Sequence, residues 1–274
     1  MVREFSAVGA KALTGAERLL RSAVTLWFVV AVTGQWIFVC YLLLAYGNTA
    51  LAGNVAAWNE KLTHGYVPGD TFGNAVVIVH LLLAVIILVA GPLQLIPKIR
   101  TSLPRFHRWN GRLYLVSVAI ASVAGLFMLF VHGTVGDWTL VLGISIDALL
   151  ILLFGGLALR AALKRDFVAH RRWALRLFIA VSAVWFFRIG LMLWLVLFQA
   201  PVGFNPDSFV GPFASFMAFA QYLLPLAVLE LYLRAQVTAN AHMKAAMAIF
   251  ILCLTLAMAV GIFGAIMGLW LPGI

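Results

Sequence analysis

The chain has 274 residues, of which 64% are hydrophobic and only 10% are charged, and its mean hydropathy is +1.06. Soluble domains are about half apolar, so this composition excludes a soluble globular protein and indicates an all-α, polytopic helix bundle in the lipid bilayer. The formal net charge of +10 does not indicate nucleic-acid binding, because the Lys and Arg residues lie in short clusters between apolar runs.

Residues 1–21 form the first predicted element, a short amphipathic helix on the cytoplasmic surface. They combine Lys11, Arg18 and Arg21 with Ala, Val and Leu, a composition typical of a helix that lies in the membrane interface. The rest of the chain, residues 22–272, is predicted to form one transmembrane helical domain.

Seven apolar runs follow, each near the ~20 residues that cross a bilayer. The predicted spans are 26–46, 73–97, 110–132, 138–163, 172–200, 212–236 and 244–270. In the last span, Gly264 and Gly268 have the spacing of a close helix contact. We assign that contact to packing within the bundle, in preference to a homo-oligomer interface.

The basic residues indicate how the chain is threaded. Those in or beside the second, fourth and sixth connections are Lys98, Arg100, Arg105, Arg108, Arg112, Arg160, Lys164, Arg165, Arg171, Arg172, Arg176, Arg234 and Lys244. The opposite side has Lys61 alone. Because cytoplasmic loops are enriched in Lys and Arg, we predict an N-in, C-out multi-pass protein of the bacterial inner membrane, with residues 47–72 and 201–211 outside.

Three ionisable residues lie deep in predicted spans. At about 1.5 Å per residue, His80 and Asp147 lie roughly 12 Å, and Arg188 roughly 18 Å, below the outer interface. Because a lone charge in hydrocarbon is costly, we predict an Asp147–Arg188 pair with His80 nearby. Such a cluster has a structural explanation, a buried ion pair, and a functional one, a proton path or a pocket for an anionic or quinone-like ligand.

Helical phase places small and polar residues on shared faces. At about 100° per residue, one face of the third span carries His107, Gly111, Tyr114, Val118, Ala121, Gly125 and His132. His170 and Arg188 share a face of the fifth span, and His80 shares a face of the second span with Gly91 and Gln94. We predict that these three faces point to a common interior.

Two of the histidines are candidate axial ligands of a haem b. His107 and His170 both lie at cytoplasmic helix starts, and small residues in phase with His107 would let a flat ring pass close to the backbone. The neighbouring basic residues that could pair with the haem propionates are Arg108, Arg112, Arg171 and Arg172. His80 is a weaker candidate for an outer site, with only His132 as a partner. The alternative is that these residues are interfacial anchors and topology signals.

Motifs for other site chemistry are absent from the sequence. There is no Gly-rich phosphate loop and no HExxH, and Cys40 and Cys253 lie apart inside apolar runs. No enzyme class is therefore indicated.

Three segments carry a resemblance to a known family. They are His80 with Gly91-Pro-Leu-Gln-Leu-Ile-Pro-Lys98, His107-Arg-Trp-Asn-Gly-Arg-Leu-Tyr114, and His170-Arg-Arg-Trp-Ala-Leu-Arg176 with Arg188. Over residues of about 75–195 the chain resembles the bacterial membrane family catalogued as domain of unknown function 2306, although Ala174 stands at a position that is usually Met. The resemblance implies a polytopic membrane protein with these residues at motif positions, and no established reaction. A looser likeness to dihaem b-type cytochromes ends at the fourth span, which has Asp147 in place of a histidine.

Three functions are consistent with these observations. The first is a haem-b electron-transfer protein, the second is a cofactor-free binding or transport bundle around His80, Asp147 and Arg188, and the third is an accessory subunit of a respiratory membrane complex. A Soret band in the purified protein would distinguish the first from the others.

Overall fold

The computed structural model describes residues 14–274, which form helices and connecting loops without a strand. The helices are α1 (Gly15–Leu51), α2 (Thr71–Leu95), α3 (Pro97–Ser102), α4 (Pro104–Phe127), α5 (Trp138–Leu163), α6 (Phe167–Val181), α7 (Ala183–Phe198), α8 (Pro212–Val237) and α9 (Ala241–Ala265). π-Helical turns extend α4 through Met128–His132 and α9 through Ile266–Trp270, and a 3-10 helix, Val55–Glu60, lies between α1 and α2.

Six helices of the described chain are each long and apolar enough to cross a membrane, and α6 with α7 makes a seventh crossing if the bent pair is one span. The all-α polytopic prediction is therefore confirmed. The predicted amphipathic element falls partly on residues 1–13, outside the described residues. Its remaining part, from Gly15 onward, is continuous with the first span in α1.

The fifth span, predicted over 172–200, is bent in the structure. It starts at Phe167 and bends by 51° between α6 and α7, at Ser182. The Ser182 hydroxyl donates to the Phe178 carbonyl, a local bond that bends helices, and it accepts a 3.0 Å bond from Gln35 Nε2 on α1. A buried polar contact between α1 and the bend thus holds the kink in place.

Proline and aspartate set several helix starts. Pro97 and Pro104 occupy the first turns of α3 and α4, where a missing N–H costs nothing. Asp70, Asp137 and Asp166 cap α2, α5 and α6 by accepting backbone N–H bonds. As a result, α4 begins six residues before the predicted span at 110, and the basic turn before it contains the short helix α3.

The long helices close into a ring. Successive neighbours are α1, α2, α4, α5, α8, α7 and α9, and α9 packs back against α1. Lys244 Nζ lies 2.6 Å from Glu17 Oε1 and joins the starts of α9 and α1. The helix α6 packs against α5 and α8. We call the end that holds the α2–α4, α5–α6 and α8–α9 connections the basic end, because most of the Lys and Arg residues lie there.

The outer surface of the ring is apolar, and neighbouring helices of the ring pack closely against each other. Leu82, Leu149 and Leu256 are 58%, 60% and 69% exposed, as expected for side chains that face lipid. In α9, a Cβ on Gly264 would lie 3.0 Å from Val196 Cγ2 on α7. The small-residue spacing in the last span therefore serves contact within the bundle, as predicted.

Candidate functional site

A cavity of about 1510 Å³ occupies the interior of the ring and extends to the basic end. Apolar side chains make up most of its wall, among them Trp27 (α1), Leu115 (α4), Phe178 (α6), Ile189 (α7), Val228 (α8) and Leu254 (α9). Sites for drug-sized ligands typically measure ~300–1,000 Å³. This cavity is therefore large enough for a lipid-sized or macrocyclic molecule.

Two of the predicted site residues, His107 and His170, meet at this cavity. His107 lies in the first turn of α4 and His170 in the first turn of α6, and both line the cavity. His170 Nδ1 donates a 2.9 Å hydrogen bond to the Ala158 carbonyl, which leaves Nε2 free to accept or to bind a metal. The Nδ1 atom of His107 is buried and has no hydrogen-bond partner.

Four arginines line the same cavity: Arg100, Arg108, Arg112 and Arg171. Arg112 stacks on the Trp109 ring at 5.3 Å, and Arg171 Nη1 lies 3.4 Å from Gln236 Oε1. The ion pairs of residues 14–274 involve other groups, so none of the four arginines is neutralised by a described carboxylate. Arg100 was predicted only as a topology signal.

Arg172 was predicted to act with its neighbour Arg171, and the structure separates them. Arg172 lies on another face of α6 and lines a small separate depression with Asp166 and Trp173. Adjacent residues on a helix point about 100° apart, so only one of the two faces the cavity. The pair offers a matched comparison of an arginine at the cavity with one outside it.

Three further polar groups lie on the cavity wall. Tyr114 Oη is buried without a partner, Gln94 Nε2 donates to the His107 carbonyl at 3.2 Å, and Gln221 Nε2 donates to the Ala218 carbonyl at 2.9 Å. Tyr114 and Gln94 lie on the faces that helical phase predicted to point inward, whereas Gln221 was not predicted.

The small residues on α4 differ in what they contact. Gly111 lines the cavity, and a Cβ on it would lie 3.1 Å from Gln94 Oε1 on α2. A Cβ on Gly125 would lie 3.2 Å from His80 Cε1, so this glycine serves the contact between α2 and α4. That these residues make room for a flat macrocycle stays a prediction.

The predicted cluster of His80, Asp147 and Arg188 does not form. His80 Nδ1 donates to the Ala121 carbonyl on α4 at 3.0 Å. Arg188 points to α1, where its guanidinium lies 5.1 Å from the centre of the Phe38 ring, and Nη1 donates to the Val184 carbonyl. Asp147 Oδ1 is buried without a partner. The three residues share a similar depth but lie on different sides of the ring.

The end of the ring opposite the basic end holds a polar group that the sequence did not predict. His132 Nε2 lies 3.0 Å from Asp70 Oδ2, and His132 Nδ1 donates to the His64 carbonyl at 3.0 Å. The N–H of Gly73 and the His132 imidazole hold the pKa of the Asp70 carboxyl below its ordinary value. This contact ties the loop between α1 and α2 to the end of α4, so His132 is not a free partner for His80.

A family match covers the helices that build most of this site. The family described as "predicted membrane protein (DUF2306)" matches residues 77–224, more than half of the chain. The chain belongs to the DUF2306 family. No curated protein and no solved structure matches it.

Within the DUF2306 match, the motif residues of α2 and α4 interlock. Asn110 Nδ2 donates to the Ala90 carbonyl at 2.9 Å, and a Cβ on Gly91 would lie 3.0 Å from the Tyr114 ring. On α6, Arg176 lies over the Trp173 ring at 4.6 Å and pairs with Glu230 on α8 at 2.7 Å. Much of the DUF2306 motif pattern thus positions the walls of the cavity.

Among residues 14–274, no group of three or more His, Cys, Asp and Glu side chains is arranged to hold a metal ion. The cavity residues suit an anionic ligand with an apolar part. Guanidinium groups and imidazoles bind phosphate or carboxylate oxygens, and the apolar wall accepts hydrocarbon.

Proposed function

We propose that this DUF2306 protein is a membrane binding bundle for an anionic amphiphile. The headgroup, a phosphate or a carboxylate, would bind the arginines of the basic end, and the apolar part would lie in the interior of the ring. The observation that carries the proposal is that four arginines without a described carboxylate partner line one large apolar cavity.

Membrane topology alone does not account for this arrangement. The positive-inside rule requires basic residues near one membrane surface, but not that they line the same cavity. Arg100 and Arg108 come from the α3–α4 segment and Arg171 from α6, so two separate parts of the chain supply charge to one opening. Convergence of charges on an apolar cavity is what an amphipathic anion needs.

The size of the cavity supports a lipid-like ligand over a small ion. A free phosphate would need only the polar rim, whereas about 1510 Å³ of mostly apolar space gains binding energy only when hydrocarbon enters it. Hydrogen bonds to charged groups contribute about 1.5–3 kcal/mol each. Loss of one arginine contact should therefore weaken binding by about tenfold or more, since 1.4 kcal/mol is a factor of ten.

Native mass spectrometry of the detergent-solubilised protein tests this proposal. We expect phosphatidic acid to bind more tightly than phosphatidylcholine, and Arg171→Gln to remove most of the difference. Arg172→Gln is the matched control, because it removes the same charge from the same helix outside the cavity. Equal weakening by both variants would show that net charge, and not the cavity, attracts the lipid.

Haem b is a second candidate for the same cavity, because it is itself a flat apolar molecule with two carboxylates. The specific observation in its favour is the His170 Nδ1 bond to Ala158, which presents Nε2 in the manner of a metal-binding histidine, beside a second imidazole on the cavity wall. His107 and His170 would hold the iron and Arg108, Arg112 and Arg171 the propionates. When bound, the group would supply one-electron transfer.

Optical spectroscopy separates this candidate from a colourless lipid-binding protein. Protein produced with added haem is expected to show a Soret band that His170→Ala abolishes. His242→Ala is the control, since His242 is exposed at the start of α9. A colourless wild-type protein, or a band that survives both His107→Ala and His170→Ala, would exclude this pair as haem ligands.

A further inference from the structure

The helices α5 and α8 face each other in a regular register. Thr139 Oγ1 donates to Ser215 Oγ at 3.0 Å. One turn further, Gly143 meets Ala218 so closely that a Cβ on the glycine would lie 2.5 Å from the Ala218 carbonyl oxygen. The two helices therefore run in the same direction, and facing residues are 75 or 76 positions apart in the sequence.

The next turn of this register brings Asp147 opposite Tyr222. Each lies four residues after a member of the Gly143–Ala218 contact, so each points along the same seam. The two residues are 6% and 1% exposed. Asp147 Oδ1 and Tyr222 Oη are both buried without a hydrogen-bond partner.

Asp147 lies deep in the membrane-spanning part of α5 and is buried. It is nine residues into a 26-residue helix, about 14 Å from the helix end, at a depth where an ionised side chain is costly. Tyr222 is the titratable group that faces it from α8. None of the ion pairs of residues 14–274 involves Asp147, and Arg188 points to α1.

The seam is closed on one side of Asp147. Toward the end opposite the basic end, the tight contact of Gly143 with the Ala218 backbone leaves no room between α5 and α8.

From these observations we propose that Asp147 and Tyr222 form a buried proton-binding site between α5 and α8. A proton taken from water binds a carboxylate oxygen of Asp147, and the neutral acid donates a hydrogen bond to the Tyr222 oxygen. On release the proton returns to water. This proton site does not depend on which ligand the cavity binds. It would remain if the protein bound neither phosphatidic acid nor haem.

Infrared difference spectroscopy of the solubilised full chain tests the proposal. Wild type minus Asp147→Asn, at neutral pH, is expected to contain the C=O stretching band of a protonated carboxyl, with the usual downshift in D₂O. Tyr222→Phe is expected to move that band, because one hydrogen bond is lost. Tyr232→Phe, on the same helix at the cavity wall, should leave it unmoved.

Three results would overturn the proposal. The first is a difference spectrum with carboxylate stretches in place of the acid band. The second is an acid band that Tyr222→Phe does not shift. If Asp147→Asn fails to fold, the spectra of wild type and Tyr222→Phe still test the proposal by this criterion. The third is removal of the band by Na⁺ at fixed pH, which would identify a cation site instead.

Discussion

Replacing Gly143 by alanine should lower the stability of the folded protein strongly, although it adds only one methyl group. The added Cβ would lie 2.5 Å from the Ala218 carbonyl oxygen and 2.9 Å from its carbonyl carbon. These are backbone atoms inside α8, so no side chain can rotate away and the two helices must separate. Overpacking of this kind typically costs about 1–3 kcal/mol, and 1.4 kcal/mol lowers the folding equilibrium constant tenfold.

The same helix provides the control for this prediction. A Cβ on Gly156 would meet nothing within 4 Å, and this glycine is exposed to lipid. Gly156→Ala should be neutral or should stabilise by up to about 1 kcal/mol, because alanine is the better helix former. The assay is unfolding of the detergent-solubilised protein by sodium dodecyl sulfate, followed by circular dichroism. Equal midpoints for the two variants would refute the close α5–α8 contact.

Two further predictions concern the α2–α4 contact and the end of the ring opposite the basic end. Asn110→Ala should lower stability by about 0.5–1.5 kcal/mol, because it removes the buried hydrogen bond from Asn110 to the Ala90 carbonyl that joins α4 to α2. The same assay should show a smaller loss for Ser145→Ala, because the Ser145 hydroxyl bonds only to a carbonyl of its own helix. Equal losses for the two variants would contradict this reasoning. The pKa of Asp70 is lower in the folded protein than its ordinary value of 3.8. Its ionised carboxyl therefore stabilises the folded state at pH values above 3.8, and this stabilisation is lost as the pH falls through the folded-state pKa. The stability difference between wild type and Asp70→Asn should therefore shrink across that acidic range, and a difference independent of pH would argue against the contact with His132.

Several features of this protein follow from the sequence by itself. The bilayer requires long apolar runs with internally satisfied backbones, so hydropathy predicted the crossings well. The motifs around His107 and His170 predicted the family, and helical phase predicted that both imidazoles face one interior. Ser182, a hydroxyl within an apolar run, was the available sign of the bend between α6 and α7, but serine occurs in straight helices as well.

The tertiary structure alone decided which side chains meet. The depth of a residue in the membrane and its angular position on a helix are properties of one helix. They predicted similar depths for Asp147 and Arg188, but they do not determine which helices are neighbours. The order of helices around the ring places Asp147 against α8 and Arg188 against α1. That order depends on close contacts between distant segments, such as Gly143 with Ala218 and Gly261 with the Ile189 backbone. Each such contact depends on the shapes of two surfaces at once, and no single stretch of sequence contains both.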